Sequence, residues 1–170
     1  MNSGGKFNPY KKETFSPGEM IKCSKEFYRW ADSRRTVREF SPQEIPQEVI
    51  DNILLTANTA PSGANKQPWT FCVVTHPEIK KQIRNEAEKE EKLSYNSRMS
   101  EEWLEDLMAI GTDWHKPFLE IAPALIVVFK RSYEIMPDGK KRQNYYVSES
   151  VGLACGFLLA AIHHAGLAAL

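Results

Sequence analysis

The sequence predicts one domain of the α+β class, with helices and strands along the same chain. Two short runs rich in β-branched and aromatic residues, WTFCVVT at 69–75 and ALIVVFK at 124–130, are typical of buried strands. Segments predicted to be helical precede, separate and follow these runs. The chain has 170 residues, 42% apolar and 26% charged, which is enough for one compact core. We therefore expect a single globular unit.

The chain is expected to begin with a polar arm, residues 1–16, followed by the folded domain, residues 17–170. At this boundary Ser16 is a suitable N-cap, Pro17 suits the first helical turn, and Glu19 favours a helix N-terminus. The apolar residues that follow recur at helical spacing as far as the arginine-rich sequence RRTVREF. The first helix should therefore lead directly into that sequence.

Two further helices are predicted on either side of the first strand. One begins near Pro46, carries a single apolar stripe, and ends before the polar loop PSGANKQP at 61–68. The other opens with Thr75 and Glu78 at capping-box spacing and continues as the highly charged sequence EIKKQIRNEAEKEEKLSY. A turn at PDG, residues 137–139, follows the second strand. The polar loop therefore connects a helix to a buried strand.

The sequence SESVGLACGFLLAAIHHAG, within a helix predicted from about residue 146 to 165, is apolar nearly all round. Its glycines and alanines keep one face thin, so we expect a centrally buried helix that another helix or a second subunit approaches closely. Gly166 ends this helix, and the final LAAL has the pattern of an opening strand. Because such a strand has undefined sheet partners, the natural chain is expected to continue beyond Leu170.

Charge and composition narrow the function classes. Lys plus Arg and Asp plus Glu each total 22, so no global field favours nucleic acid or anionic lipid. The N-terminus lacks the apolar core of a secretory signal, and the longest apolar run, 151–162, is shorter than the roughly 20 residues that span a bilayer. Three separated cysteines, expected to be buried, lack disulfide or zinc spacing. We expect a cytoplasmic protein with no metal and no nucleic-acid or membrane partner.

Three segments are candidates for a binding site. RRTVREF at 34–40 holds three arginines within five residues, but alone such a run is more often a solvated surface. PSGAN at 61–65, taken alone, is an ordinary polar turn. EKEEK at 88–92 is typical of a solvated helix face. Only the ordered set of segments indicates a site.

Taken in this order, the segments resemble the flavin-dependent nitroreductase superfamily. TAPSGANKQPWTF, EKEEKLSYNSRMSEEWLEDL, TDWHKPFLEIAP and NYYVSESVGLACGFLLAAIHHAGL are similar, within it, to the iodotyrosine deiodinase family in its soluble bacterial form. The likeness runs from about residue 25 to the end of the chain. It implies an α-β-α sandwich with a central mixed sheet flanked by helices, and a homodimer with the flavin at the subunit interface.

The resemblance implies that the arginine-rich segment and the PSGAN loop hold FMN. Guanidinium groups and a hydroxyl suit phosphate oxygens and the pyrimidine edge of the flavin, and a glycine lets backbone approach a ligand closely. The family often has serine where Thr36 stands, a change that keeps the hydroxyl. The cofactor-binding residues implied in this way are Arg34, Arg35, Thr36, Arg38, Pro61, Ser62 and Gly63.

The same resemblance implies that Ala64, Glu91, Tyr95 and Lys116 bind a halogenated tyrosine. The backbone N–H of Ala64 would meet the phenolic oxygen and stabilise the phenolate, which makes it the catalytic group. Glu91 and Tyr95 lie four residues apart and would share a helix face. Glu91 would pair with the substrate ammonium group and Lys116 with its carboxylate, while Tyr95 could hydrogen-bond either end.

The segment of about residues 88–116 is expected to form a lid over the substrate. Its charged helix has little apolar surface to bury. Contacts from bound substrate are therefore needed to order it.

The implied function is FMN-dependent reductive dehalogenation of iodo-, bromo- and chlorotyrosine to tyrosine and halide. Electrons would come ultimately from NAD(P)H, with a separate reductase as a possible carrier. Two alternatives stay open: a general NAD(P)H nitroreductase or quinone reductase, which needs no amino-acid clamp, and a flavin- or halotyrosine-binding module without turnover. Further family contacts to flavin N5 and phosphate are expected beyond Leu170.

Overall fold

A computed structural model of the chain describes residues 10–170, so that residues 1–9 of the predicted polar arm lie outside the described residues. The helices are α1 (Pro17–Asp32), α2 (Gln47–Asn58), α3 (Pro77–Ser97), α4 (Glu101–Ala109), α5 (Phe118–Ile121) and α6 (Val147–His164). The strands are β1 (Trp69–Val74), β2 (Leu125–Lys130), β3 (Tyr133–Ile135) and β4 (Lys141–Gln143), and a 3-10 turn covers Gly63–Asn65. The helices and strands predicted from the sequence are present, and α4, α5, β3 and β4 are additional.

The chain divides into two compact units, the first ending at Arg34 and the second beginning at Arg35. The first unit contains α1, which begins as its sequence predicts. The Ser16 hydroxyl accepts the Glu19 N–H at 3.4 Å, and the Glu19 carboxylate accepts the Ser16 N–H at 2.7 Å. The Glu19 carboxylate also accepts the Ser16 hydroxyl at 2.8 Å, and the hydrogen bonds that it accepts from the Ser16 N–H and hydroxyl lower its pKa. The predicted helix start is therefore confirmed as a capping box.

The core of the second unit forms where α2 and α6 cover one face of the β1–β2 pair. The buried residues at this contact are Ile53, Ala57 and Leu158, and the partly buried strand residues packed against them include Phe71, Ile126 and Val128. Each large apolar side chain fully buried in such a contact stabilises the fold by about 1.5–3 kcal/mol. The apolar stripe predicted for α2 is therefore the face that holds the sheet.

The two central strands are covered on one face, so the prediction of fully buried strands is wrong. β1 and β2 pair antiparallel, with Phe71 opposite Val128. Trp69 is buried beneath the helices, whereas Cys72 is exposed and Phe129 keeps 55% of its surface accessible. Both faces carry apolar or β-branched residues, and this composition conceals the period-two alternation of a half-covered strand.

The end of the chain pairs with the arginine-rich segment. Thr36 and Ala169 form an isolated parallel bridge, and the Val37 N–H donates to the Ala169 carbonyl at 3.0 Å. The final LAAL, predicted as the opening of a strand, therefore lies beside the segment predicted to bind the flavin. The described strands form two separate antiparallel pairs, β1–β2 and β3–β4, and this parallel bridge lies outside both, so the single mixed sheet stays a prediction.

The predicted central burial of α6 is wrong within this chain. Of its residues that the structure describes, Ser150, Ala154 and Leu158 are buried, while Leu153 and Phe157 keep 49% and 40% of their surface exposed. Composition shows that a helix is apolar on all sides, but not whether its own chain covers each side. By length and composition α6 could also cross a membrane, a criterion that core helices meet as well.

The cysteines and the start of α3 also differ from expectation. Cys23 and Cys72 are exposed and Cys155 is partly exposed, so the expectation of buried thiols is wrong. α3 begins at Pro77 with His76 as N-cap and no side-chain capping bond. Because proline suits the first helical position, the helix starts beyond Thr75, and the predicted capping box does not form.

Candidate functional site

The polar loop PSGANKQP, residues 61–68, contains strained backbone, part of it at Ala64, which is predicted to contact the substrate. Ala64, Asn65 and Gln67 have φ angles of 51°, 52° and 45°, the left-handed region that side chains disfavour. Such residues cost about 1–3 kcal/mol each and persist where surrounding contacts hold them. Only asparagine tolerates this conformation readily, so the sequence gives little sign of it at the other two positions.

Hydrogen bonds from several elements hold the loop. The Ser62 hydroxyl accepts the Gln67 N–H at 2.9 Å, and Arg131 donates to the Gln67 carbonyl at 2.8 Å. Gln67 in turn donates through its side chain to the Asn58 carbonyl at 3.0 Å, at the end of α2. Lys66 forms an ion pair with Glu134 of β3 at 3.2 Å. These contacts offset the backbone strain.

Gly63 packs closely against the start of α6. Its N–H donates to the buried Ser150 hydroxyl at 3.3 Å. A Cβ atom at Gly63 would lie 2.8 Å from the Tyr145 carbonyl oxygen and 3.0 Å from Tyr146 Cδ2. Glycine is therefore required here by its contact with another part of the same chain. The sequence analysis predicted that the Gly63 backbone approaches a ligand closely, whereas in the structure it approaches Tyr145 and Tyr146.

Two amides of the loop, those of Ser62 and Ala64, differ from the others. The N–H groups of Gly63, Asn65, Lys66 and Gln67 donate to acceptors, whereas that of Ser62 has none within residues 10–170. Among the residues that the structure describes, the Ala64 N–H has no acceptor. An exposed amide in a constrained loop suits an anionic oxygen. This geometry is compatible with the phenolate contact predicted from the sequence.

The arginine-rich segment begins the second unit. Arg35 and Thr36 are exposed, and Arg38 is half-buried. Arg34 closes the first unit, so its part in the site stays a prediction from the sequence. The charge of Arg38 acts on Tyr95, where it opposes the rise in the pKa of the phenol. Arg38, predicted to bind the cofactor, and Tyr95, predicted to bind the substrate, therefore lie within electrostatic range of each other.

The structure brings together the three residues predicted to clamp the substrate. Glu91 Oε2 lies 3.2 Å from Lys116 Nζ, and the two side chains are 37% and 15% exposed. Tyr95, one helical turn beyond Glu91 on α3, donates its hydroxyl to the Thr112 carbonyl at 3.3 Å. Among the described residues, no hydrogen bond or ion pair joins the PSGAN loop to this clamp.

Tyr95 is held in its protonated form. Burial is the largest cause that raises the pKa of its phenol, followed by the negative charges of Glu91 and Asp113. A hydrogen bond with the Thr112 side chain and the charge of Arg38 act in the opposite direction but do not reverse the shift. Tyr95 therefore remains a hydrogen-bond donor throughout the neutral pH range.

The loop before α5 holds Lys116 from its own side. Lys116 Nζ donates to the Asp113 carbonyl at 2.6 Å. The Asp113 carboxylate accepts the His115 N–H at 2.8 Å, and this hydrogen bond is the largest cause that lowers the pKa of Asp113. Lys116 thus has both Glu91 and a backbone carbonyl as partners.

Three charged residues that the sequence analysis did not select support this clamp. Glu88 Oε1 accepts the backbone N–H of Lys116 at 2.8 Å and Arg84 Nε at 2.7 Å. Arg84 also donates to the Glu120 carboxylate at 3.1 Å. The hydrogen bond from Arg84, followed by that from Lys116, lowers the pKa of Glu88. The i,i+4 spacing of Arg84 and Glu88 is a signal that could have indicated their pairing.

The donors in the second unit fit the cofactor predicted from the sequence. Arg35 and Arg38 offer guanidinium groups, and Thr36 offers a hydroxyl on the same short segment. Guanidinium groups bind phosphate oxygens through paired hydrogen bonds. Among residues 10–170, no group of three or more His, Cys, Asp or Glu side chains could hold a metal ion. The donor set is that of an anion site.

Comparison with known families identifies the chain. The Nitroreductase family matches residues 31–170. Iodotyrosine deiodinase of Haliscomenobacter hydrossis is 67% identical over 164 residues, which cover 96% of this chain and 74% of that protein. Iodotyrosine deiodinase 1 of Homo sapiens is 46% identical over 159 residues, covering 94% of this chain and 55% of that protein. The chain therefore spans about half the length of the human relative.

Solved structures show the same fold. A crystal structure of oxidized iodotyrosine deiodinase, bound to FMN and 3-iodo-L-tyrosine, matches with a TM-score of 0.73 and 38% identity, covering 83% of this chain and 71% of that one. An FMN-dependent nitroreductase from Clostridium difficile matches with a TM-score of 0.60 and 22% identity, over 85% and 59% of the two chains. The likeness to the second protein shows the nitroreductase-like fold alone. With the family match, the fold and the sequence identity in agreement, this chain belongs to the Nitroreductase family and, within it, to the iodotyrosine deiodinases.

Proposed function

We propose that this chain is an FMN-dependent oxidoreductase that removes halogen reductively from halotyrosines. The observation that carries the proposal is the pairing of Glu91 and Lys116 at 3.2 Å beside the protonated Tyr95. A free amino acid carries an ammonium and a carboxylate group, and these residues offer one opposite charge to each, with a neutral donor nearby. Relatives named iodotyrosine deiodinase support this reading.

The clamp would exchange partners when the substrate binds. Glu91 and Lys116 neutralise each other in this structure, and Glu91 keeps 37% of its side chain exposed. A partly exposed ion pair of this kind contributes about 0–1 kcal/mol, so separating it is inexpensive. Glu91 would then accept the substrate ammonium group and Lys116 would contact the carboxylate. Tyr95, kept protonated, would donate to the carboxylate.

FMN would be held by the arginine-rich segment and the PSGAN loop. Arg35, Thr36 and Arg38 would bind its phosphate and pyrimidine edge. On the other side the loop would contribute Pro61, Ser62 and Gly63. When bound, FMN supplies the two electrons for replacing the carbon–halogen bond by a carbon–hydrogen bond, with uptake of one proton and release of halide.

The chain's own contribution to the chemistry lies at Ala64. Its N–H, without an acceptor among the described residues, would donate to the phenolate oxygen of the substrate. A donor fixed before the reaction stabilises negative charge without reorganising. The contacts that hold the strained loop keep this donor in place. Closure of the lid, residues 88–116, would exclude water from the site.

We also propose a homodimer and a cytoplasmic location for the protein. The exposed apolar side chains of α6, Leu153 and Phe157, suit contact with a second copy. Electrons would reach the flavin from NAD(P)H, with a separate reductase as a possible carrier.

One anaerobic titration tests the reaction. The FMN-loaded protein, reduced with dithionite, is mixed with diiodotyrosine, and iodide release and flavin reoxidation are followed together. The proposal expects both. A protein that binds diiodotyrosine without either change would be a binding module. Glu91→Gln should weaken turnover of halotyrosine while leaving that of a nitrophenol unchanged, and equal turnover of both substrates in both proteins would instead indicate a general nitroreductase.

A further inference from the structure

A stripe of polar residues on α3 faces the segment that carries Lys116. Counting along α3, these residues are separated by four, four, three and four positions, and they are Lys80, Arg84, Glu88, Glu91 and Tyr95. At 3.6 residues per turn, this spacing places them along one side of the helix. The stripe is longer than the clamp, which uses its last two members.

Every member of the stripe contacts the segment from Thr112 to Ala122. Lys80 Nζ donates to the Glu120 and Ala122 carbonyls at 3.0 and 2.8 Å, and Arg84 donates to the Glu120 carboxylate at 3.1 Å. Further along the helix, Glu88 contacts the Lys116 amide, Glu91 contacts the Lys116 ammonium group, and Tyr95 contacts the Thr112 carbonyl. The segment thus runs antiparallel to α3 with a contact at each turn.

The stripe divides into two functional halves. Glu91 and Tyr95 are the members that the proposed function assigns to the substrate; Glu91 pairs with the Lys116 ammonium group, and Tyr95 donates to the half-buried Thr112 carbonyl. Lys80, which is 7% exposed, and Glu88 contact backbone groups and have no part in substrate binding in that proposal. A backbone amide or carbonyl cannot swing away as a side chain does. The first half of the stripe, Lys80 to Glu88, therefore fixes the position of the segment from Thr112 to Ala122.

Lys116 needs such support because its side chain is long and flexible. A lysine side chain has many rotamers, so an ammonium group placed only by its own rotamers samples a wide volume. Its backbone N–H is fixed by Glu88, and the next residue, Pro117, has no N–H to add a contact. Glu88 is in turn oriented by Arg84, which bonds the same carboxylate oxygen.

We infer that Glu88 is a positioning residue for the substrate carboxylate: by holding the Lys116 amide, and held itself by Arg84, it sets where the Lys116 ammonium group lies. The inference rests on the proposed function, since it assigns Lys116 to the substrate. Glu88 does not touch the substrate in this account. It changes the affinity for the amino-acid end and leaves the reacting end of the molecule unaffected.

The first measurement is hydrogen exchange of the Lys116 amide in the ligand-free protein. Glu88→Ala should accelerate this exchange about ten- to hundredfold, the range expected for a hydrogen bond to a charged acceptor. Glu88→Gln keeps an oxygen acceptor but loses the charge, so the exchange rate of its Lys116 amide should lie between those of wild type and Glu88→Ala. Glu86→Ala is the matched control on the same helix, because its carboxylate pairs with the exposed Lys89 at 2.6 Å. Unchanged exchange in Glu88→Ala would overturn the inference.

The second measurement separates positioning from general stability. Glu88→Ala should raise the KM for halotyrosine about tenfold, with kcat little changed, and should not alter the KM for a halophenol without an amino-acid end. In a Lys116→Met background the same change should have no further effect, because the group it positions is gone. Additive effects, or an equal rise for the halophenol, would show a structural role instead.

The two hypotheses fail in different ways. If wild-type protein loaded with FMN binds no halotyrosine, the proposed function falls, and this inference falls with it. If the wild type and Glu86→Ala bind halotyrosine and Lys116→Met binds it weakly, but Glu88→Ala binds it as tightly as wild type, only the inference is overturned.

Discussion

Replacing Gly63 by alanine should destabilise the loop that carries the Ala64 amide, which we propose as the catalytic group. The added Cβ would lie 2.8 Å from the Tyr145 carbonyl oxygen and 3.2 Å from the Tyr145 carbonyl carbon. Both are backbone atoms, so no rotation of a side chain relieves the contact. Tyr146, whose Cδ2 would lie 3.0 Å away, is itself in the left-handed region with a φ of 47°. Neither side of the contact moves easily.

The expected magnitude follows from this geometry. Forcing an extra methyl group into a packed site costs about 1–3 kcal/mol. For a chain of 170 residues each kcal/mol shifts the melting temperature by about 2–4 °C, so Gly63→Ala should melt about 2–12 °C below wild type. Displacement of the loop would also lengthen the 3.3 Å hydrogen bond from Gly63 to Ser150 and move the Ala64 amide. FMN retention should fall together with the melting temperature.

The assay compares thermal unfolding by circular dichroism with flavin fluorescence after desalting. Gly18→Ala is the matched control, because a Cβ at Gly18 in α1 meets nothing within 4 Å. This control should melt at or slightly above the wild-type temperature, since alanine favours a helix. If Gly63→Ala melts with the wild type and retains FMN equally, the steric reasoning for the loop is refuted.

Three further predictions concern Ser150, Glu88 and α6. Ser150→Ala removes the buried hydroxyl that accepts the Gly63 N–H, so the free energy of unfolding in urea should fall by about 1–3 kcal/mol. Ser148→Ala, at an exposed position of the same helix, should leave that free energy almost unchanged. The pKa of Glu88 is lowered from its ordinary value of 4.5, so the stability that its charged form contributes is present above that pH and is lost as the pH falls through the lower folded value. Protection of the Lys116 amide, corrected for intrinsic exchange, should therefore persist from neutral pH to about 4.5 and decline below it. A decline already at neutral pH would contradict the assignment. A Cβ atom added at Gly156 would meet nothing within 4 Å in this chain, so Gly156→Ala should stabilise an isolated α6 by about 0.5–1 kcal/mol. At the proposed homodimer interface the same change should weaken association, measured by sedimentation velocity. Unchanged association would argue against a contact at this face.

The sequence alone determined most of the element pattern. Local signals indicate where helices begin, and the N-cap predicted at Ser16 is present, as part of a capping box whose two hydrogen bonds join residues three positions apart. Apolar spacing identified α2, a highly charged run identified α3, an apolar run identified α6, and runs of β-branched and aromatic residues identified both central strands, each within about two residues. The motif order likewise indicated the family to which the chain belongs. All of these features depend on residues close together in the sequence, so the sequence alone is enough to predict them.

Only the tertiary structure decided which charges meet and which apolar faces are covered. The sequence placed Glu91 and Lys116 in one site by resemblance, but their mutual ion pair depends on how the segment before α5 returns across α3. The role of Glu88 has the same origin, because its partner at Lys116 is 28 residues away. Burial of α6 also depends on packing, since an apolar surface has the same composition whether or not another element covers it. Contacts between distant residues are set by the path of the chain in three dimensions, and local sequence preferences do not specify that path.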